Sequence, residues 1–146
     1  MIHRRFALAW LGYVLATFAG GAVWHLLFFQ AKYVELQIFT RIEDPVIPLG
    51  LSAIVIQGAI LAYLYPRVSR WQNPAIEGVR FGLLVGALFA TSAVLAEAAK
   101  NYVASLGTWV VLEGSYYLLQ FALSGLVIGL AYGRAAALSN SKEGTS

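Results

Sequence analysis

The feature that most constrains this chain is an apolar run of 25 residues, 109–133 (WVVLEGSYYLLQFALSGLVIGLAYG), with one charged side chain, Glu113. A helix rises about 1.5 Å per residue, so this run is long enough to cross a hydrocarbon core of about 30 Å. We therefore expect a membrane-spanning helix here. Three further apolar runs, 6–29, 46–65 and 78–99, are expected to span the membrane and pack around it.

The composition agrees with a membrane protein. The chain is 60% hydrophobic and 12% charged, whereas soluble domains have about 25% charged residues. The sequence predicts an all-α fold, an integral membrane four-helix bundle that forms a single transmembrane domain over 1–146. The lipid bilayer is then the first partner. Nucleic acid is not expected, because the basic residues lie in short segments between apolar runs and form no continuous stripe.

The connecting segments carry start and stop signals for helices. Asp44 and Asn73 each precede a proline, which predicts the starts of the second and third helices. Pro66 is expected to end the second helix. The pair Gly107 and Thr108 is expected to break the chain and cap the fourth helix. The polar tail, 135–146, is expected to be disordered.

The longest connection, 30–44, is predicted to lie on the outer side of the membrane. Val34, Ile38 and Ile42 recur every four residues in it, as in a short helix that lies in the membrane interface. An extended segment remains an alternative, because apolar and polar residues also alternate roughly around Ile38.

The basic residues predict the orientation. Four spans place both termini on one side, where seven basic residues fall: Arg4, Arg5, Arg67, Arg70, Arg80, Arg134 and Lys142. The other side holds three: Lys32, Arg41 and Lys100. Since cytoplasmic loops carry the excess of Lys and Arg, both termini are predicted to be cytoplasmic.

The large polar side chains of the spans fall at two depths. The candidate ligand-binding residues are His25, Gln57, Glu97, Glu113, Tyr117 and Gln120. By helical rise, His25, Glu97 and Glu113 lie within roughly 3 to 6 Å of the outer boundary, and the two glutamines lie near the midplane. Polar side chains in spans tend to face the bundle interior. We therefore expect a polar pocket that opens outward and is closed towards the cytoplasm.

A structural interpretation of the same residues is also open. Glu97 can pair with Lys100, Glu113 lies near a helix amino terminus that favours an anion, and His25 can reach the headgroups. The two midplane glutamines can hydrogen-bond each other. The ionisable groups have metal-ligand chemistry but no diagnostic spacing, and the chain has no cysteine. No metal site and no cofactor are predicted.

Glycines at four-residue spacing predict close helix packing. The fourth span carries Gly125, Gly129 and Gly133, and the third carries Gly82 and Gly86. Small residues let the backbones of two membrane helices approach closely. We expect the third and fourth spans to cross tightly within one chain on their cytoplasmic halves, which would close the floor of the pocket.

The order of these features resembles a known type of protein. The motifs are GGAVWH at 20–25, EGVRFG at 77–82, a proline-flanked second span and a glycine-rich last span. They resemble small bacterial four-span inner-membrane proteins filed as domains of unknown function, over about 6–133. The resemblance implies this fold and a multi-pass location in the bacterial cytoplasmic (inner) membrane. It implies no activity and no site residues.

Three functions fit the sequence. The first is a small bundle that binds or moves a small ligand, a proton or a lipid through the outward pocket. The second is a non-enzymatic accessory or assembly subunit, with other membrane subunits as partners and structural polar residues. The third is a membrane enzyme with Glu113 and His25 as an acid–base pair, and no short catalytic motif favours it.

The predicted orientation can be tested with single cysteines in this cysteine-free chain. Ser105→Cys should react with a membrane-impermeant maleimide in intact cells, and Ser141→Cys should not, because the basic asymmetry places them on opposite sides. The measurement is labelling before and after cell lysis. Labelling at position 141 but not at 105 in intact cells would overturn the orientation.

Overall fold

A computed structural model describes residues 2–41, 44–70 and 72–143, and the side chains of 3–41, 44–70 and 72–133. The described part of the chain is helical with irregular connections. Its α-helices are α1 (Ile2–Ala22), α2 (Gln30–Leu36), α3 (Ile47–Val68), α4 (Pro74–Ala90) and α5 (Leu106–Glu143). Two of them continue without a break as π-helices: α1 through Val23–Phe28 and α4 through Thr91–Ala96.

Four of the helical segments are long and apolar enough to cross a membrane. They are His3–Phe28, Ile47–Val68, Pro74–Ala96 and Leu106–Gly133. Each overlaps one of the four spans that the sequence predicts. The all-α fold is confirmed, and the four segments suggest a multi-pass membrane protein.

The long helix α5 lies at the centre of the bundle. It packs most extensively against α4 and next against α1, whereas α3 packs mainly against α1. The two ends of the bundle are named by what they contain. The terminal end has the connection 69–73, and the α2 end has the connections 29–46 and 97–105. A buried cluster joins α1, α3 and α5: Ala9, Tyr13, Leu61, Ala62, Tyr65, Phe121, Ile128 and Tyr132. A second cluster lies at the α2 end: Tyr33, Leu36, Ile38, Val94 and Trp109.

Glycines bring the backbones of α4 and α5 into direct contact. A Cβ atom on Gly82 would overlap the carbonyl oxygen of Phe121, and one on Gly125 would overlap the carbonyl oxygen of Gly78. On Gly129 it would overlap the carbonyl oxygen of Pro74. No residue with a side chain fits at these positions without moving a helix.

The remaining predicted packing glycines lie at the two ends of the same contact. A Cβ on Gly86 would come within 2.9 Å of the Phe121 Cβ, and one on Gly133 would overlap the ring of Pro74. Gly78 belongs to the contact but was not among the predicted residues, although it precedes Gly82 by four positions and so continues the same series.

The helix boundaries correct several predictions. Asn73 caps α4, since its Oδ1 accepts the Ile76 N–H at 3.2 Å, as predicted. Asp44 does not cap α3, because Val46 holds the cap position and no side chain bonds there. Thr108 does not cap α5, which begins two residues earlier. Thr108 lies in the first turn and hydrogen-bonds Ser105 through their hydroxyl groups at 2.9 Å.

Pro66 does not end α3, which continues to Val68. Proline has no N–H to donate, so the carbonyl of Ala62, four residues earlier, loses its helical partner. The Tyr132 hydroxyl donates to that carbonyl at 2.6 Å. A side chain of α5 thus replaces the missing backbone bond, and the helix can include the proline in its last turns.

The ends of two segments also differ from the predictions. The connection 30–44 contains the short helix α2, but its buried face holds Tyr33 and Leu36, whereas Val34 is 53% exposed. Ile38 is buried beyond the helix, and Ile42 lies outside the described residues. The backbone of 135–143 continues α5 where a disordered tail was expected, and 144–146 lie outside the described residues.

The close contact of α4 and α5 makes a stability prediction. Gly129→Ala should lower the free energy of unfolding in detergent by about 1–3 kcal/mol, because the new methyl group overlaps the Pro74 carbonyl. Gly114→Ala, in the same helix with nothing within 4 Å of the new Cβ, is the matched control. It should be neutral or stabilising by up to about 1 kcal/mol through helix propensity. Equal stability of the two variants would contradict this packing.

Candidate functional site

A cleft of about 420 Å³ lies at the α2 end of the bundle. Its lining combines two carboxylates, one imidazole and four aromatic rings. The lining residues are His25, Phe39, Ala93, Glu97, Trp109, Glu113, Tyr116 and Tyr117. They come from the π-helix that ends α1, the segment after α2, the end of α4 and the first turns of α5, so four separate parts of the chain form the cleft.

Glu113 is the buried polar centre of this cleft, with 4% of its surface exposed. The Tyr33 hydroxyl donates a short hydrogen bond to Glu113 Oε2. That hydroxyl accepts a hydrogen bond from Trp24 Nε1 at 3.1 Å. Because an indole N–H can only donate, the Tyr33 proton is directed to the carboxylate. Burial, followed by the neighbouring Glu113 carboxylate, raises the pKa of Tyr33 well above its ordinary value, so the phenol stays a donor.

His25 faces the same carboxylate oxygen. Its Nε2 lies 3.6 Å from Glu113 Oε2, and its Nδ1 lies 3.1 Å from the Gly21 carbonyl oxygen. A carbonyl only accepts, so Nδ1 carries the hydrogen and Nε2 faces Glu113. The imidazole packs edge-on against Tyr116 with 4.4 Å between ring centroids. The ring is thus held by contacts on three sides.

One oxygen of Glu113 is left for the cleft. Oε2 interacts with both Tyr33 and His25, whereas Oε1 accepts no hydrogen bond from the part of the chain that the structure describes. Oε1 is not one of the fully buried unpaired atoms of the described residues, so it is accessible to solvent. The free oxygen therefore gives the cleft an unused acceptor.

Both π-helical segments flank the cleft. The π-helix of α1 carries Trp24 and His25, and that of α4 carries Ala93 and Val94. A π-helix changes the direction of side chains and carbonyls relative to an α-helix, and such segments occur often at functional sites. The Val94 carbonyl accepts a hydrogen bond from Trp109 Nε1 at 3.0 Å. This bond fixes the first turn of α5 against α4.

Glu97 lies at the rim of the cleft. Its side chain is 42% exposed and forms an ion pair with Lys100 at 3.3 Å, and Asn101 Nδ2 donates to its Oε1 at 2.6 Å. The pairing with Lys100 is the one that the structural interpretation predicts. Glu97 therefore contributes little net charge at the entrance, because Lys100 neutralises it.

The two glutamines that the sequence predicts near the midplane do not line the cleft, contrary to the predicted pocket. Gln57 Oε1 accepts a hydrogen bond from the Tyr13 hydroxyl at 3.2 Å. Gln120 Nε2 donates to Thr17 Oγ1 at 3.0 Å and to Ser124 Oγ at 2.8 Å. The glutamines thus bond to other residues rather than to each other. The structure brings His25, Glu97, Glu113 and Tyr117 around the cleft and leaves Gln57 and Gln120 in separate polar contacts.

Sequence reasoning missed several residues of the site. Tyr33 and Phe39 belong to the connection 30–44, whose apolar pattern pointed to other residues. Tyr116 lies three residues after Glu113 on α5 and so near it on the helix surface, which is a signal that was available. Nothing in the sequence indicates that Tyr33 folds back over Glu113, 80 residues away in the chain.

Comparison of the chain with protein-family models, with curated proteins and with solved structures gives no match. The resemblance to small bacterial four-span proteins therefore stays a prediction. Within the described residues, no group of three or more His, Asp or Glu side chains is placed to hold a metal ion.

The hydrogen bonds of Tyr33 make a stability prediction. Tyr33→Phe should lower the free energy of unfolding in detergent by about 1–3 kcal/mol, because the Trp24 N–H and Glu113 Oε2 both lose a buried partner. Tyr102→Phe, at a tyrosine that is 71% exposed, is the control and should stay within about 0.5 kcal/mol of the original chain. If both variants unfold at the same temperature, the Trp24–Tyr33–Glu113 chain contributes nothing to the fold.

Proposed function

We propose that this chain is a multi-pass protein of the bacterial cytoplasmic membrane that binds a small ligand in the cleft around Glu113. In this proposal both termini are cytoplasmic and the α2 end faces outward, which agrees with the seven-to-three distribution of basic residues. The close contact of α4 and α5 at the other end closes the bundle towards the cytoplasm.

The observation that carries the proposal is the incomplete pairing of Glu113. Moving a carboxylate out of water costs several kcal/mol, and the hydrogen bond from Tyr33 does not by itself require that charge. A glutamine would accept the Tyr33 proton as well and carry no charge. A buried carboxylate with one oxygen held by Tyr33 and the other free towards a cleft is expected where a ligand completes the pairing.

The backbone around the cleft supports the same conclusion. Both π-helices occur at this end of the bundle, one on each side of the cleft. A π-helix is less stable than the α-helix it interrupts, so it persists where a function or tight packing retains it. Because both π-helices lie beside Glu113, a functional role of the cleft is the better explanation for why they are retained.

A second candidate function, an accessory or assembly subunit, is favoured by the first turns of α3. Residues 47–53 of that helix are exposed on every face. A Cβ on Gly50 would meet nothing within 4 Å, so a partner helix has room to approach there. In this alternative Glu113 and His25 only stabilise the bundle.

The ligand-binding proposal predicts a selective effect of Glu113→Gln. The purified protein, screened by thermal unfolding against a panel of small amines, acids and polar neutral molecules, should be stabilised by at least one of them. A ligand at about 100 times its Kd adds about 2.7 kcal/mol. Glu113→Gln should lose this stabilisation while remaining folded, and Glu35→Gln, at an exposed carboxylate, should keep it.

Two other outcomes would count against the proposal. A ligand that stabilises Glu113→Gln as well as the original chain does not use this carboxylate. The accessory role is the better description if three results occur together: no ligand is found, Glu113→Gln leaves cell growth unaffected, and Gly50→Leu impairs it.

A further inference from the structure

We propose that the ligand of this cleft is a small organic cation, a primary or quaternary ammonium group on a compact carbon skeleton. The inference rests on the proposed ligand-binding function and names the chemical class of the ligand. It follows from the charge, the aromatic lining and the size of the cleft.

The charge of the lining favours a cation. Two carboxylates line the cleft, and the described lining includes no lysine and no arginine. Glu97 is already paired with Lys100 at 3.3 Å, and Lys32 pairs with Glu35 at 2.7 Å. The carboxylate that carries the inference is therefore Glu113, whose contacts among the described residues are Tyr33 and His25 and include no lysine or arginine. An ammonium group beside the free Oε1 of Glu113 would complete the pairing of that carboxylate, whereas an anion there would meet like charge.

The aromatic rings of the lining favour an organic cation over a metal ion. Phe39, Trp109, Tyr116 and Tyr117 line the cleft together. Aromatic rings attract alkylated ammonium groups through their electron-rich faces, and cages of aromatic rings are a recurring way to hold quaternary ammonium. A bare divalent ion would instead require several oxygen ligands in close geometry.

The walls of this cleft are already held in place. Phe39 stacks on Tyr33 with 5.3 Å between centroids and meets Trp109 edge-on at 5.7 Å. The Trp109 indole is bonded to the Val94 carbonyl. A ligand that enters therefore orders few side chains, which limits the entropy lost on binding.

The size of the cleft fits a compact molecule. Its volume of about 420 Å³ lies within the range of about 300–1,000 Å³ for small-molecule sites. A choline-sized group fits in that space with room for ordered water. A lipid headgroup and a free amine share this chemistry, and the experiment below separates them.

The test compares three probes of one shape and different charge. They are choline, its uncharged carbon isostere tert-butylethanol, and the carboxylate anion of tert-butylacetic acid (tert-butylacetate). Calorimetric titration of the full chain in phosphatidylglycerol nanodiscs should show choline binding about tenfold or more tightly than either of the others, since the cation–π and carboxylate contacts exist for choline alone. Equal or weaker binding of choline would overturn the inference.

Two variants assign the binding to this cleft. Glu113→Gln should weaken the binding of choline about tenfold or more, whereas Glu35→Gln should leave it unchanged. Phe39→Leu keeps an apolar wall but removes a ring, so it should weaken the binding of choline more than the binding of the alcohol. Choline binding that is indifferent to both variants occurs elsewhere on the protein and would overturn the inference.

A third measurement stays decisive if Glu113→Gln does not fold. Ala93→Cys places a thiol in the cleft wall, and Tyr102→Cys is an exposed reference. Each thiol is reacted with two methanethiosulfonate reagents, one that carries a trimethylammonium group and one that carries a sulfonate. The ratio of the cationic to the anionic reaction rate should be on the order of tenfold higher at position 93 than at position 102, because the nearby carboxylate attracts the cationic reagent. Equal ratios at the two positions would show that the cleft does not prefer cations.

The remaining outcomes separate the ligand class from the function. If tert-butylacetate or the alcohol binds in a Glu113-dependent way and choline does not, the cleft binds ligands but the cation inference fails. If none of the three probes binds, the cation inference fails, and the ligand panel described above decides whether the cleft binds ligands at all. At high salt, which screens the anionic phosphatidylglycerol surface, weaker apparent choline binding in phosphatidylcholine than in phosphatidylglycerol nanodiscs supports a lipid headgroup as the occupant, and equal binding supports a free ammonium compound.

Discussion

The contact of the α4 and α5 backbones is the constraint on which the rest of the structure depends. At Gly78, Gly82 and Gly125 no Cβ can be accommodated, so the two helices have one relative position along their crossing. Apolar side chains gain little by association in lipid, and close backbone packing is then a main source of stability. The other helices are placed around this pair: α1 packs on α5, and α3 packs on α1.

The same pair of helices explains why the cleft is at the α2 end. Along α4 the glycine series that contacts α5 ends at Gly86, whose Cβ would still meet the Tyr117 carbonyl oxygen at 3.0 Å, and beyond it Phe89 stacks on Phe121 with 5.0 Å between ring centroids. The distance between packed helices depends on the side chains at their contact, so the larger residues require more space. The cleft between Ala93 on α4 and Tyr117 on α5 lies where the glycine contact has ended, and polar groups there can remain accessible.

The sequence was most informative where one helix carries the signal by itself, although the local signals at Asp44, Pro66 and Thr108 misplaced helix ends. Span positions, the Asn73 cap and the glycine series follow from apolar length, capping chemistry and four-residue spacing, all of which are local. Tyr33 could not be predicted, because its burial depends on how α2 folds back over Glu113. The possible hydrogen bond between the two glutamines does not form for a related reason: the spacing of polar residues along one helix does not fix which neighbouring helix they face. Gln120 turns to Thr17 and Ser124, and Gln57 to Tyr13.

Glu113 joins α5 to α2 and to the π-helix of α1. A carboxylate in a span needs partners from outside its own helix, and here they come from α2 and the π-helix of α1. The helix α2 is held by few other bonds, among them the Ala104 N–H to the Leu36 carbonyl at 3.1 Å. Its buried side chains, Tyr33 and Leu36, also pack in the cluster at the α2 end, so the bond between Tyr33 and Glu113 is one of several contacts that hold it. The α4–α5 contact leaves no space for adjustment, whereas the segments around Glu113 are joined by side-chain hydrogen bonds that a competing partner of the carboxylate can weaken. A ligand that approaches Glu113 Oε1 therefore acts on a residue that also helps to hold α2 in place.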